Sequence, residues 1–199
     1  MEPPETWAKE PDLSRLQLAY AELAKNAGVA VKILQELESQ GSTMSLVYLG
    51  YAFERGIGVT QDLSRAESYY RHAHEAGSVG GTFGLGSVFL REQQYREAEQ
   101  MFLLGVSKND MRSIYWLARL YLRAESSSTH KAEGIKLLER GYLLGHVLSG
   151  RTLSKKLIRG CGGITGIFRG IFIFFESAIL GVRLIIQNPS DERLKDAPM

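Results

Sequence analysis

The sequence predicts an all-α fold: antiparallel helix pairs repeated about four times, then one apolar helix near the C-terminus. Three observations carry this. First, Leu49-Gly50 recurs as Leu85-Gly86, Leu117-Ala118 and, in weaker form, Leu153-Ser154, at intervals of 36, 32 and 36 residues. Second, other columns keep the same step: Ala66, Ala98 and Gly134; Ala73, Gly105 and Gly141; Gly41, Gly77, Asn109 and Gly145. Third, residues 164–186 turn sharply apolar, and hardly any segment alternates as a strand would.

Residues 1–12 read as a polar tail. The start, Met1-Glu2-Pro3-Pro4-Glu5-Thr6, lacks the basic region and apolar run of a secretory signal, so the repeats are expected in the cytoplasm. From about Leu13 to Gly41 only the end of a second helix is legible, in Ala30, Ile33, Leu34 and Gly41. The next unit is complete. A first helix from about Thr43 to Arg55 carries Leu46, Leu49, Ala52 and Phe53 on one face. Gly56 and Gly58 end it, and Asp62 caps a second helix from Leu63 to about Ala76. The third unit replaces the glycine loop with Arg91-Glu92-Gln93-Gln94-Tyr95, and the fourth with Ala124-Glu125-Ser126-Ser127-Ser128-Thr129. Small residues at Gly50, Ala66 and Ala73 let neighbouring helix backbones approach closely.

The second unit carries a resemblance. Leu49-Gly50, Phe53, Gly56-Ile57-Gly58-Val59-Thr60-Gln61-Asp62, Ala66, Tyr69-Tyr70, Ala73 and Gly77 together resemble a Sel-1-like repeat. That family's pattern is LG, an aromatic, GxGVxxD, then A, an aromatic pair, AA and G. Tetratricopeptide repeats share the helix pair but lack the GxGVxxD loop. The resemblance covers roughly residues 13–150. It implies a right-handed solenoid whose stacked units complete one another's core, with a concave surface lined mainly by first helices. It also implies an adaptor, a protein that binds proteins and catalyses nothing itself.

Composition and motifs leave little room for other classes. A formal net charge of +2 gives no reason to expect nucleic acid. Cys161 is the only cysteine, so no internal disulfide is possible, and with four scattered histidines it makes no zinc spacing. His72 and His74 lie two apart and face different sides of a helix. His130 starts a helix, and His146 follows Gly145 at a place where the family often has a polar residue. No nucleophile elbow, Walker loop or dinucleotide fingerprint follows a strand. We therefore expect no catalytic residue, cofactor or metal site.

The apolar stretch from Ile164 to Ile186 has 23 residues, enough to cross a bilayer, which takes about 20. Arg169, Glu176 and Arg183 fall seven apart and form one polar stripe. A central Glu176 costs roughly 2.5–3.5 kcal/mol, against fourteen Ile, Leu, Phe and Val residues at about −0.3 to −0.6 kcal/mol each. Gly162, Gly166 and Gly170, continued by Ser177 and Gly181, make a small-residue row that in a membrane would let a second helix pack. Arg151, Lys155, Lys156 and Arg159 precede the segment, and Arg193 and Lys195 follow it beside Asp191 and Glu192. This bias places the repeats on the cytoplasmic side. Three modes stay open: a spanning anchor, a helix in the membrane interface, or a soluble cap on the repeats.

The domain reading is a tail at 1–12, a repeat solenoid at 13–160, an apolar helix serving as membrane anchor at 161–188, and a polar tail at 189–199. The expected function is a non-catalytic protein–protein scaffold, membrane-associated with its repeats facing the cytoplasm, and able to self-associate through the apolar helix. Its alternatives are a non-catalytic subunit of a membrane enzyme or transport complex, and a soluble adaptor. Candidate membrane residues are Gly166, Phe168, Gly170, Phe172, Phe174, Phe175, Glu176 and Leu180. Candidate partner-binding residues are Tyr48 and Trp116, at corresponding positions, with Arg119 one turn on from Trp116. The column Arg55, Arg91, Arg123 and Arg159 joins them, either as a basic ladder for acidic partners and lipids or as simple complements to helix dipoles.

Overall fold

The computed structural model describes residues 10–123, 127–161 and 163–187, and every regular element among them is helical. In chain order these are α1 (Leu13–Glu22), α2 (Ala27–Ser39), α3 (Thr43–Arg55), α4 (Leu63–Glu75), α5 (Val79–Arg91) and α6 (Tyr95–Ser107). Then come α7 (Met111–Tyr121), α8 (Ser128–Leu143), α9 (Val147–Lys156), a π-helical turn (Leu157–Cys161) and α10 (Gly163–Gln187). They fall into two compact units, divided inside α6 after Leu104. Gly162, the 124–126 part of the fourth loop, and the tail charges Asp191, Glu192, Arg193 and Lys195 lie outside the described residues.

In the first unit α3 and α4 have the bounds expected from sequence to within a residue. Asp62 caps α4 by accepting the Arg65 amide at 3.0 Å. The loop between them needs its glycines for space as well as for backbone freedom. Gly56 and Gly58 both sit at φ +71, and a Cβ on Gly58 would lie 2.5 Å from the Ala27 carbonyl oxygen. The GxGVxxD loop thus rests against the start of α2. The first pair is a full pair, although only part of it is legible from sequence. Its first helix buries Leu16 and Ala19, a pattern without the Leu-Gly signature.

Aromatic rings on second helices fill the hollows left by glycine on first helices. A Cβ on Gly50 would come 2.8 Å from the Tyr70 ring, and one on Gly86 would come 2.6 Å from the Phe102 ring. Leu49, Phe53, Ala66, Tyr70, Leu85 and Val88 build the interior around these contacts. Burying each such aromatic fully stabilises the fold by roughly 1.5–3 kcal/mol.

The turn from one pair to the next repeats almost atom for atom. Gly41, Gly77, Asn109 and Gly145 all take left-handed φ, from +58 at Asn109 to +86 at Gly41. The amide after each bonds back to a carbonyl in the last turn: Ser42 to Leu37, Ser78 to Ala73, Asp110 to Gly105 and His146 to Gly141. These residues then cap the next helix, their side chains accepting the amides of Ser45, Gly81, Ser113 and Ser149. His146 does so through Nδ1.

In the second unit α7 packs on α8, α8 on α9, and α9 on α10. The register continues through the apolar helix. Thirty-six residues after Gly134 stands Gly170, and 36 after Gly141 stands Ser177. The apolar helix is therefore the second helix of a fifth pair, joined to α9 by the π-helical turn.

Candidate functional site

The sequence of α10 divides its circumference into three faces. Gly166, Gly170, Ile173, Ser177, Gly181 and Leu184 are buried and turn inward. Small residues are needed there: a Cβ on Gly170 would lie 3.0 Å from the Ser154 carbonyl oxygen and 3.0 Å from Leu157 Cβ. On the α9 side, a Cβ on Gly150 would lie 3.2 Å from Ser177 Cβ. From Gly170 to Gly181, the small-residue row expected to receive a second membrane helix receives α9 of the same chain.

The polar stripe is the second face, and its first two members meet α8. The Arg169 guanidinium pairs with Glu139 at 3.0 Å, and the Tyr142 hydroxyl donates to Glu176. Burial and that hydrogen bond push the Tyr142 phenol up to about 12. Arg183, the third member, is exposed. Tyr142, Leu143, Glu176, Ser177 and Leu180 line an open groove of about 310 Å³. The Ser177 hydroxyl is buried at this edge without a hydrogen-bond partner.

The third face is apolar and bare. Phe168 is 70% exposed, Phe172 62% and Phe175 60%, with Phe174 at 40% on the shoulder of the same arc. Ile164, Ile179, Val182 and Ile186 extend it along the whole helix. Length and mean hydropathy would let α10 cross a membrane, and only 28% of its most apolar window is buried. Beside it, Arg151, Lys155 and Arg159 recur every four residues on α9 and the π-helical turn, all exposed.

The other expected site residues are placed as follows. Tyr48 is 4% exposed and sits in the interior against Tyr20, ring centroids 5.5 Å apart. Trp116 is half-buried, and the exposed Arg119 lies over its ring at 4.4 Å and near Tyr115 at 5.8 Å. Arg55 ends α3 and lies 5.9 Å from the Tyr51 ring. Arg91 ends α5 and pairs with Glu54 at 2.8 Å. Arg123 follows α7, and Arg159 falls in the π-helical turn.

Sequence reasoning missed Glu54. It is fully buried on α3, yet Tyr70 donates to it at 2.9 Å, Ser87 at 3.0 Å and Arg91 at 2.8 Å. One carboxylate thereby ties α3, α4 and α5 together. His74 bonds Thr82 through Nδ1 at 2.8 Å, and His130 stacks on Tyr121 at 4.8 Å. Among the described residues no group of three or more metal-binding side chains comes together.

Compared with solved structures, the chain is similar to a protective antigen present in uropathogenic Escherichia coli strains displaying an SLR fold. Identity is 19%, the TM-score is 0.70, and the match covers 96% of this chain and 44% of that one. It is also similar to a Sel1 repeat protein from Oxalobacter formigenes, at 18% identity and a TM-score of 0.69, over 92% of this chain and 82% of that one. The chain thus spans less than half the length of the first. No family model matches the sequence, and no curated protein does. At these identities the likeness is one of fold: a Sel1-like helical repeat array.

Proposed function

We propose that this chain, with its Sel1-like repeat fold, is a non-catalytic protein-interaction scaffold held at a membrane through α10. One observation carries the tether: α10 packs its small residues inward and turns Phe168, Phe172 and Phe175 outward. A helix serving only to cap the array would bury its large side chains and leave its polar ones in water. Here the buried residues are mostly small, with Ile173 and Leu184 the large ones among them, and the phenylalanines lie outside with the charged residues. An exposed apolar strip of this length marks a surface that something covers.

The scaffold half of the reading is supported by the fold, since stacked helix pairs offer extended surfaces for other proteins. Within the second unit, the exposed Arg119 stacked on Trp116 is the patch we assign to a protein partner, because arginine and tryptophan dominate binding hot spots. The repeats are taken to face the cytoplasm. Joining a membrane complex through Glu176 would require that carboxylate to give up the hydrogen bond it accepts from Tyr142.

Fractionation tests the tether. The full chain should sediment with membranes, whereas F168S/F172S/F175S should remain in the supernatant with its helical content unchanged. Full-length chain found soluble would remove the tether.

A further inference from the structure

We propose that α10 holds the chain on an acidic bilayer without crossing it. The helix stays docked on α9 and lies in the plane of the head groups, while Arg151, Lys155 and Arg159 take the phosphates of anionic lipids. This rests on the tether reading above and adds an orientation and a lipid class to it.

Crossing would dismantle what the fold has built. Ser177 would leave the notch made by Gly150, and Gly170 would leave Leu157 and Ile158. Arg169 would part from Glu139, and Glu176 from Tyr142. The carboxylate would then travel to the middle of the hydrocarbon without a partner. Docked, none of this is lost, and one face remains to be covered. Ile164, Phe168, Phe172, Phe175, Ile179 and Val182 follow one another every three or four residues, so they lie along one line parallel to the helix axis. An in-plane helix sinks such a line about 5–10 Å into the boundary between head groups and acyl chains.

The charge beside that line selects the lipid. Gly150, Ser154 and Ile158 touch α10, and Arg151, Lys155 and Arg159 each follow one of them. One residue is 100° of helix, so the basic stripe runs alongside the docked helix. Among the described residues none of the three is paired with a carboxylate. A second copy docked through the same face would bring two such stripes to one interface. An anionic leaflet neutralises them instead.

The test measures binding to phosphatidylcholine vesicles with and without phosphatidylglycerol. It compares the natural chain, R151Q/K155Q/R159Q, and G150C/S177C on a C161S background. The Cβ separation of 3.2 Å at that cysteine pair is close to the span a disulfide bridges, so oxidation staples α10 to α9. We expect binding to need phosphatidylglycerol, to weaken by about a hundredfold in the triple variant, and to be equal for the stapled and reduced forms. Binding that is lost on stapling and restored by reduction would overturn the in-plane docking and leave the tether standing. Binding indifferent to phosphatidylglycerol and to the triple substitution would overturn the lipid assignment alone. A chain that binds neither vesicle and elutes as a dimer would overturn both this proposal and the tether.

Discussion

Gly150 of α9 and Ser177 of α10 meet with no room for a further atom: a Cβ on Gly150 would press on the Ser177 hydroxyl and lie 3.0 Å from the Tyr142 ring. Overpacking of this kind costs about 1–3 kcal/mol. Gly150→Ala should therefore lower stability by an amount in that range and raise hydrogen exchange along α10 first. Adding Ser177→Gly should recover much of the loss, because the nearest obstructing atom is then gone. A double-mutant cycle by urea unfolding checks the coupling.

Glu54 supplies the second prediction. Its carboxylate is fully buried and holds Tyr70, Ser87 and Arg91 at once. Breaking a buried pair by removing one partner costs about 3–5 kcal/mol. Arg91 is partly exposed and can turn to water, so Glu54→Ala should fall at the low end. Arg91→Ala should cost at least as much, since it strands the buried carboxylate on two hydroxyls. The double variant should lose less than the two single losses together, as chemical denaturation would measure.

Asn109 stands where the other junctions have glycine, at φ +58. Glycine takes that conformation without strain, whereas a β-branched residue pays roughly 1–2 kcal/mol. Asn109→Gly should leave the melting temperature unchanged or higher, and Asn109→Val should lower it. Gly77→Ala has open space around it but φ +84, so it should lower stability by about 1 kcal/mol through the backbone alone.

The Tyr142 phenol is raised from 10.0 to about 12 by burial and by its hydrogen bond to Glu176. A folded-state value above the unfolded one favours the fold while the phenol is protonated. That contribution is complete below about pH 10 and disappears as the pH climbs towards 12. An ultraviolet titration of the chain, differenced against Tyr142→Phe, should show one tyrosine ionising near pH 12. In Glu176→Gln the midpoint should move back towards 10.

Much of the repeat is legible because some small residues, like Gly50, leave no room for a Cβ, and others, like Gly77, hold a left-handed φ. The columns around Gly50, Ala73 and Gly77 were visible, and so were the bounds of α3 and α4. The fifth pair was hidden by hydropathy: the apolar run masked the fact that Gly170 and Ser177 continue the columns of Gly134 and Gly141. Read by composition, these residues looked like a membrane helix motif. Glu54 left no signal, since its partners are 16, 33 and 37 residues on and meet it only once α3, α4 and α5 stack. Tyr48 and Trp116 share a column but not a setting, because α1 covers the first with Tyr20. Which column members face a neighbour depends on what packs beside each helix, and one helix's sequence does not carry that.

In the arrangement proposed above, α10 lies on a membrane with its small face still against α9. Spin labels placed singly at Phe168, Phe175 and Val182 in the Cys161→Ser chain test it, through their depth in vesicles containing phosphatidylglycerol. The outer two positions are about 21 Å apart along the helix at roughly 1.5 Å per residue. All three labels should sit at one shallow depth. Depths that differ by on the order of 20 Å from Phe168 to Val182, or labels that lipid leaves untouched, would contradict it.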